Sequence, residues 1–375
     1  MSHPTPLEST WPDLLSRLLD GTDLTGDDTG WVMDKIMTGE ATPAQVAAFA
    51  VALRAKGETA AEVEGLVISM LSHSVRVTAP GRCVDIVGTG GDRANTVNIS
   101  TMSSVVIAAA GAPVIKHGNR AASSKCGAAD LLEGLGISIR LGKQGVETTL
   151  AELGIGFCFA PVFHPSFRFV GPPRREIGIP TVFNFLGPLT NPAQPAAGAI
   201  GCGSAVMAPV MAEVFARRGA DVLVFRGDDG LDELTTTTTS SVWVVTAGTV
   251  RQTSIDPTRF GIAAASATDL VGGEVSTNVI AARELFDGRP GAVRDAVLLN
   301  SAAALAVHAG LAVRAGLSGS AGRPGGSAGD DPQQSLEDSI AAGLERAAGA
   351  IDSGAAAALV DSWAQRSTEL APAEA

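Results

Sequence analysis

The chain has 375 residues, enough for one large domain or two domains, and 45% of them are hydrophobic, which indicates a globular protein. Its 27 Lys and Arg residues are outnumbered by 39 Asp and Glu residues, which gives a formal net charge of -12. An acidic chain is a poor partner for nucleic acid or for an anionic membrane surface, so we expect it to bind neither.

The cysteines and the N-terminus predict a cytoplasmic protein. The four cysteines lack the paired spacing of a zinc site, and they fit reduced thiols better than disulfides. Residues 1–8 have neither the basic start nor the apolar core of a signal peptide. The run nearest to a membrane span, 105–115, is too short and contains Gly111 and Pro113.

Helix-start and helix-stop signals in approximately the first 80 residues predict a small helical unit. An amphipathic segment lies near the N-terminus, and Thr42 and Gln45 then have the spacing of a capping box. Gly57 stands where that helix should end, and residues 59–62 open another helix in the same way.

From residue 83 onward, the alternation of short apolar runs with helical stretches predicts a large α/β domain with a mostly parallel central sheet flanked by helices. The predicted strands are 83–87, 113–116, 157–160, 199–202 and 222–225. The helices between them include 128–135, 146–153 and 210–217. Segment 318–332 is rich in Gly, Ser, Pro and Asp, which predicts a flexible loop.

Segment 85–101 predicts a phosphate site. A buried strand, a glycine turn and a helix capped by Asn98 or Ser100 would present backbone N–H groups to an anion. Asp92 would repel a bare phosphate, so the expected ligand is a phosphorylated sugar with a divalent metal. The dinucleotide fingerprint fails because position 93 is arginine, and no Walker A sequence follows. Taken alone, the segment also fits an ordinary βα turn.

A second strand followed by a cationic loop strengthens this prediction. Segment 114–127 carries Lys116, Arg120 and Lys125 together with serine hydroxyls, all of which suit a phosphate ligand. The alternative is a solvated basic turn, although such a cluster is unexpected in an acidic chain. Loops at the carboxyl ends of neighbouring parallel strands converge in space, so we expect the two loops to meet.

Arg174 is a candidate for binding a carboxylate. It follows an aromatic segment, 163–169, and two prolines, so it could clamp the carboxylate of a flat ligand. On local sequence alone, a surface ion pair explains this arginine better.

An acidic turn after strand 222–225 is a candidate metal site. Its carboxylates belong to Asp228, Asp229, Asp232 and Glu233. Carboxylates at a strand end suit Mg²⁺, and a solvated turn is the alternative. The neighbouring phosphate loops favour the metal, because a diphosphate needs its charge neutralised. The run 235–239 that follows predicts a β-prone surface stretch.

In their order and spacing, these segments resemble the anthranilate phosphoribosyltransferase family over nearly the whole chain. The resemblance rests on Gly88-Thr-Gly-Gly-Asp92, Asn98-Ile-Ser-Thr101, Lys116-His-Gly-Asn-Arg120 with Ser123-Ser124-Lys125, Arg174-Arg175-Glu176, Asn184-Phe-Leu-Gly-Pro-Leu-Thr-Asn-Pro192 and Gly230-Leu-Asp-Glu233. It implies a homodimer that transfers the phosphoribosyl group of 5-phosphoribosyl-1-diphosphate (PRPP) to the amine of anthranilate. It also implies a small domain of residues 1–80 joined by 177–194, and a large domain of 81–176 and 195–375.

The resemblance further implies site residues. The PRPP site would comprise Gly88, Gly91, Asp92, Thr96, Asn98, Ile99, Ser100, Thr101, Lys116, His117, Gly118, Asn119, Arg120, Ala121, Ala122, Ser123, Ser124 and Ala128. The anthranilate site would comprise Gly88, Asn119 and Arg174, with Arg174 on the carboxylate. Mg²⁺, with two ions per subunit, would be bound by Ser100, Asp232 and Glu233.

No catalytic nucleophile is predicted, because the aniline nitrogen is already uncharged. The protein would stabilise the departing diphosphate, with Lys116 supporting, and would hold the amine in line. His117 could accept a proton, but a structural role is the better interpretation.

Two alternatives remain at the level of sequence. A nucleoside phosphorylase-like enzyme would not need the acidic pair Asp232 and Glu233. A non-catalytic paralogue that binds nucleic acid would need a basic face, which the net charge of -12 disfavours.

Overall fold

A seven-stranded sheet organises the larger part of the chain. The computed structural model describes residues 9–121, 124–310 and 332–371. The strand order is β3-β2-β1-β4-β5-β6-β7, with parallel pairing from β3 to β5 and antiparallel pairing from β5 to β7. The strands are Val84–Gly88 (β1), Val114–Gly118 (β2), Ile155–Phe159 (β3), Ala197–Gly201 (β4), Asp221–Gly227 (β5), Ser240–Thr246 (β6) and Thr249–Ile255 (β7). The prediction of a mostly parallel sheet is confirmed.

All five predicted strands are present, and their ends differ from the predicted ends by no more than two residues. Strands β6 and β7 were missed. They form a hairpin whose two-residue turn, Ala247 and Gly248, has positive φ angles of 50° and 73°. The run 235–239 is a surface stretch only in part, because Thr235 and Thr236 are buried whereas Thr238 is exposed, and it is not a strand.

Four helices form the N-terminal unit: Trp11–Leu19 (α1), Gly26–Met37 (α2), Pro43–Lys56 (α3) and Ala60–Ser72 (α4). The predicted capping boxes of α3 and α4 are present, and α3 ends at Gly57 as expected. The capping residue Glu62 of α4 is fully buried, and it also pairs with Lys56 at 2.9 Å and accepts a hydrogen bond from the backbone of Leu24. One carboxylate therefore joins three segments of the unit.

The remaining helices surround the sheet. They are Ile99–Ala109 (α5), Ala128–Gly134 (α6), Lys143–Leu153 (α7), Ala160–Phe163 (α8), Gly171–Ile177 (α9), Leu186–Leu189 (α10), Met207–Arg217 (α11), Val275–Phe286 (α12), Ala292–His308 (α13), Pro332–Asp352 (α14) and Ala355–Leu370 (α15). Helices α7 and α11 begin three residues before their predicted starts. The predicted flexible loop 318–332 lies outside the described residues except at Pro332, where α14 begins.

The sheet is buried on both faces because its side chains alternate along each strand. In β5, Leu223 and Phe225 pack into a core shared with α5, α13, α14 and α15, whereas Val222 and Val224 pack into a core shared with α11 and the N-terminal helices. Helix α11 contacts α4, so the helical unit is seated on the second face.

The chain returns to the helical unit between β3 and β4. Helix α9 contacts α3, and α10 contacts α4 and the strand β2. This returning segment therefore bridges the N-terminal helices and the sheet. Among the described residues, no helix is both long and apolar enough to cross a membrane.

Candidate active site

The strand order creates a crevice at the carboxyl end of β1. Strand β1 pairs with β2 on one side and with β4 on the other, so the strands that follow β1 in the chain lie first on one side of it and then on the other. In α/β sheets, a ligand-binding crevice opens where the strand order reverses in this way. Gly88 and Gly201, the last residues of β1 and β4, are partners in the pairing. A Cβ atom at Gly88 would overlap the carboxylate of Asp232, and one at Gly201 would overlap its main chain. Two glycines thus admit Asp232 to the crevice.

The glycine loop begins immediately after β1 and is tied to the same carboxylate. Gly90 and Gly91 have φ angles of 69° and 86°, which glycine adopts without a steric penalty. The backbone N–H of Gly90 donates to Oδ2 of Asp232 at 2.6 Å. Asp92 is half-buried and accepts a hydrogen bond from the backbone N–H of Ala94 at 3.2 Å. The loop therefore brings Asp92 and Asp232 to one place.

Helix α5 follows the loop, and its first turn faces the acidic residues. Asn98 occupies the N-cap position, but its side chain does not cap the helix as predicted. It donates instead from Nδ2 to the carbonyl of Cys126 at 2.9 Å, which joins the glycine loop to the basic loop. The backbone N–H of Ser100 donates to the carboxylate of Glu233. Glu233 thus lies where a helix N-terminus favours negative charge.

Asp232 and Glu233 form a buried acidic pair. Burial raises the pKa values of both carboxyls, and neighbouring carboxylates, including that of Asp92, raise them further. Ser100, whose backbone N–H donates to Glu233, carries a hydroxyl beside the pair, and oxygen donors of this kind suit a hard divalent cation. In the part of the chain that the structure describes, no cluster of three His, Cys, Asp or Glu residues could hold a metal by itself. A cation at this pair would therefore need further ligands.

Asp228 and Asp229, the other two carboxylates of the predicted acidic site, are structural. Asp228 accepts from the hydroxyls of Ser241 at 2.9 Å and of Thr239. Asp229 accepts from the hydroxyls of Thr235 at 2.7 Å and of Thr237. These bonds hold the turn before β6, so the suggestion that all four carboxylates bind a cation is wrong for this pair.

Lys116 lies beneath the crevice. Its side chain is only 1% exposed, and its ammonium donates to the carbonyl of Ile86 and to the hydroxyl of Ser100 at 3.3 Å. Burial lowers the pKa of Lys116, and this effect is opposed by three nearby carboxylates, those of Asp85, Asp232 and Glu233. The predicted contact with diphosphate would require this side chain to move. As placed, it orients Ser100 and balances the acidic pair.

The basic loop after β2 is held by acidic residues of α6. Arg120 pairs with Asp130 at 2.8 Å and with Glu133 at 2.6 Å, so its guanidinium is already shared between two carboxylates. Asn119 and Ser124 are exposed at the surface of the loop, and Gly118, Ala121 and Ala128 are half-buried beside it. Ala122 and Ser123, which are also predicted PRPP ligands, lie outside the described residues.

His117 fastens the end of β2 to the returning segment. Its Nδ1 donates to the carbonyl of Gly187 at 2.9 Å, and its ring lies 5.1 Å from that of His164. Burial and the neighbouring His164 lower the pKa of His117 to about 3. The imidazole is therefore neutral near pH 7 and a weak base, as a structural histidine would be.

Arg174 lies on α9 within the returning segment, with its guanidinium 5.9 Å from the ring centre of Phe167. Burial lowers the pKa of Arg174, and among the described residues it has no carboxylate partner. The surface ion pair favoured by local sequence is therefore not found. A partly desolvated cation without an anion is a suitable site for a carboxylate ligand.

Sequence reasoning missed Asp85 and Asn191, which connect the crevice to the returning segment. Asp85 is buried in β1 and accepts from Nδ2 of Asn191 at 2.8 Å and from the backbone N–H of His117 at 3.4 Å. Burial raises the pKa of Asp85 to about 6. The signal available in the sequence was one ionisable residue inside an apolar strand, which is rare unless that residue has partners.

Comparisons with known proteins agree with this architecture. Residues 80–357 match the family described as "Glycosyl transferase family, a/b domain", and residues 12–74 match "Glycosyl transferase family, helical bundle domain". The chain is 58% identical over 364 residues to the anthranilate phosphoribosyltransferase of Saccharopolyspora erythraea, covering 97% of this chain and 98% of that protein. It is 55% identical over 360 residues to that of Thermobifida fusca, covering 96% and 97%.

Solved structures are similar over almost the whole chain. The anthranilate phosphoribosyltransferase of Thermus thermophilus has a TM-score of 0.81 at 34% identity, covering 95% of this chain and 99% of that one. That of Saccharomyces cerevisiae, in complex with PRPP and Mg, has a TM-score of 0.82 at 25% identity, covering 97% and 99%.

Proposed function

We propose that this chain, which belongs to the anthranilate phosphoribosyltransferase family, transfers the 5-phosphoribosyl group of PRPP to the amine of anthranilate. The products are N-(5-phosphoribosyl)anthranilate and diphosphate, and the reaction is the second step of tryptophan biosynthesis from chorismate. One observation carries this proposal. This chain, which is 58% identical to the anthranilate phosphoribosyltransferase of Saccharopolyspora erythraea, brings a glycine loop, a helix N-terminus and an acidic pair to one crevice.

The glycine loop and the start of α5 form the proposed PRPP site. The residues from Gly88 to Asp92 offer backbone N–H groups at the end of β1, and Asn98 to Thr101 begin a helix whose first N–H groups favour an anion. Asp92 suits the hydroxyls of a ribose. Asn119, Ser124 and Ala128 border the same site from the basic loop, whereas Arg120 and Lys116 act mainly by holding that side of the crevice together.

Asp232, Glu233 and Ser100 are the proposed Mg²⁺ ligands. When bound, Mg²⁺ neutralises the charge of the departing diphosphate. These oxygen donors fit a divalent cation, because Asp232 and Glu233 are buried next to each other, and burial first and neighbouring carboxylates second raise the pKa values of both groups, which a bound cation would offset. We propose two ions per subunit, with the remaining ligands supplied by PRPP.

Arg174 is proposed to bind the carboxylate of anthranilate, with Gly88 and Asn119 bordering the ring. A bidentate pair between the carboxylate of anthranilate and the guanidinium of Arg174, which has no carboxylate partner among the described residues, would fix the orientation of the amine. His117 is too weak a base to take part in proton transfer near neutral pH. Catalysis would therefore rest on positioning and on electrostatic stabilisation of the leaving diphosphate.

We also propose the domain division that the family resemblance implies. The contact of α10 with α4 supports a small domain of residues 1–80 joined by 177–194, with 81–176 and 195–375 forming the large domain. We further propose a homodimer that acts in the cytoplasm. All four cysteines are free and buried, which supports a reducing compartment.

The decisive experiment is the loss of anthranilate fluorescence with purified protein, PRPP and Mg²⁺. Loss in the complete mixture, but not without PRPP or without Mg²⁺, supports the proposed reaction. A folded protein that leaves the fluorescence unchanged would overturn it. Phosphorolysis of a pyrimidine nucleoside and salt-dependent DNA binding then test the two alternatives.

A further inference from the structure

A short segment before α12 holds the glycine loop from outside the crevice. The backbone N–H of Val97 donates to the carbonyl of Leu270 at 2.9 Å, and the N–H of Gly272 donates to the carbonyl of Asn95 at 2.8 Å. These bonds make an isolated antiparallel bridge between Thr96 and Val271. The bridge fixes the stretch of backbone between the glycine turn and the start of α5.

The bridge holds a loop that is conformationally unusual. Arg93 and Asn95, on its approach, have φ angles of 62° and 52°, which side-chain-bearing residues adopt at an energetic cost. Such a backbone persists only where the surrounding structure fixes it. The segment that contains Gly272 supplies two of the hydrogen bonds that do so.

Gly272 has no room for a side chain. A Cβ atom there would lie 2.6 Å from Oδ1 of Asn278 and 2.9 Å from the carbonyl oxygen of Thr96, both too close for real atoms. Asn278 cannot withdraw easily, because it is buried and its Nδ2 donates to the carbonyls of Gly273 at 2.7 Å and Glu274 at 3.3 Å. The backbone of Thr96 would therefore have to move.

We propose that Gly272 is a positioning residue for the phosphoribosyl-donor site. Its lack of a side chain lets the bridge place the backbone of Thr96, and with it the N-terminus of α5, at the distance required to bind PRPP. This inference rests on the proposed function, because it assigns Gly272 to the PRPP side of that same site. No part of it involves the returning segment that carries Arg174, so the proposed contact with the carboxylate of anthranilate is unaffected.

The test compares Gly272→Ala with its neighbour Gly273→Ala. A Cβ atom at Gly273 would meet only the side chain of Thr277, at 3.1 to 3.3 Å, so this control changes the same segment without pressing on the loop. We expect G272A to raise the PRPP KM about tenfold, because small displacements of binding groups have large effects. The anthranilate KM should stay within a factor of two of its wild-type value, and G273A should resemble the wild type.

PRPP binding measured by calorimetry with Mg²⁺ present gives a second readout that does not depend on turnover. An active wild type with equal PRPP affinity in G272A and G273A would overturn this inference and leave the proposed function intact. A wild type that neither binds PRPP nor consumes anthranilate would overturn both. If G272A does not fold, Asn278→Ala replaces it, because loss of the Nδ2 bonds should loosen the bridge and raise the PRPP KM in the same way.

Discussion

Replacing Arg174 by alanine should weaken anthranilate binding selectively. The guanidinium packs on Phe167 and has no carboxylate partner among the described residues, so its removal leaves no buried anion behind. The loss should equal that of a charge-assisted hydrogen bond to the ligand, about 1.5 to 3 kcal/mol. This corresponds to an anthranilate KM raised about 10- to 150-fold, with the PRPP KM nearly unchanged.

The assay is initial-rate fluorescence with each substrate varied in turn. Arg175→Ala is the matched control, because Arg175 is the next residue of the same helix and is exposed to solvent. Arg174→Lys should give an intermediate KM, since lysine keeps the charge but cannot form a bidentate pair. Equal increases in both KM values, or an equal effect of R175A, would refute the assignment of Arg174 to the carboxylate.

Three further predictions concern charge. Asp232→Asn and Glu233→Gln should each shift the Mg²⁺ dependence of the rate to higher concentration, and unchanged titrations in both would defeat the metal assignment. Glu62→Ala should lower the free energy of unfolding by about 1 to 3 kcal/mol in urea denaturation, because it leaves the buried backbone N–H of Leu24 without its acceptor, although Lys56 keeps its pair with Asp23, whereas the more exposed Glu64→Ala should cost much less. Burial raises the pKa of Asp85 from 3.8 to about 6, so its protonated form stabilises the fold below about pH 4, and this contribution is lost as the pH rises through 6. Asp85→Asn should remove about 3 kcal/mol of that pH dependence, and parallel stability curves for wild type and variant would contradict it.

The sequence predicted those elements whose signals are local. Capping boxes such as Thr42 with Gln45, and short apolar runs after glycine turns, depend on neighbouring residues, and they located the N-terminal helices and the five parallel strands. The hairpin of β6 and β7 was missed, although Ala247 and Gly248 between two β-prone runs were a usable turn signal.

The roles of charged residues were less predictable, because they depend on contacts distant in sequence. Lys116 and Arg120 looked like phosphate ligands, yet the first is buried against Ile86 and Ser100, and the second is paired with two carboxylates of α6. No local pattern distinguishes a lysine that contacts a ligand from one that supports the groups that do. Asp85 and Gly272 likewise depend on one partner each, Asn191 and Thr96, that is more than a hundred residues away.

The pairing of Gly88 with Gly201 also bears on how activity is assigned to distant relatives. Gly201 is not among the proposed ligands, yet any side chain there would displace the main chain of Asp232. A homologue could therefore retain Ser100, Asp232 and Glu233 and still be unable to assemble its metal site. Ligand residues alone are therefore not enough to assign transferase activity to a homologue, and the residue at position 201 has to be inspected as well.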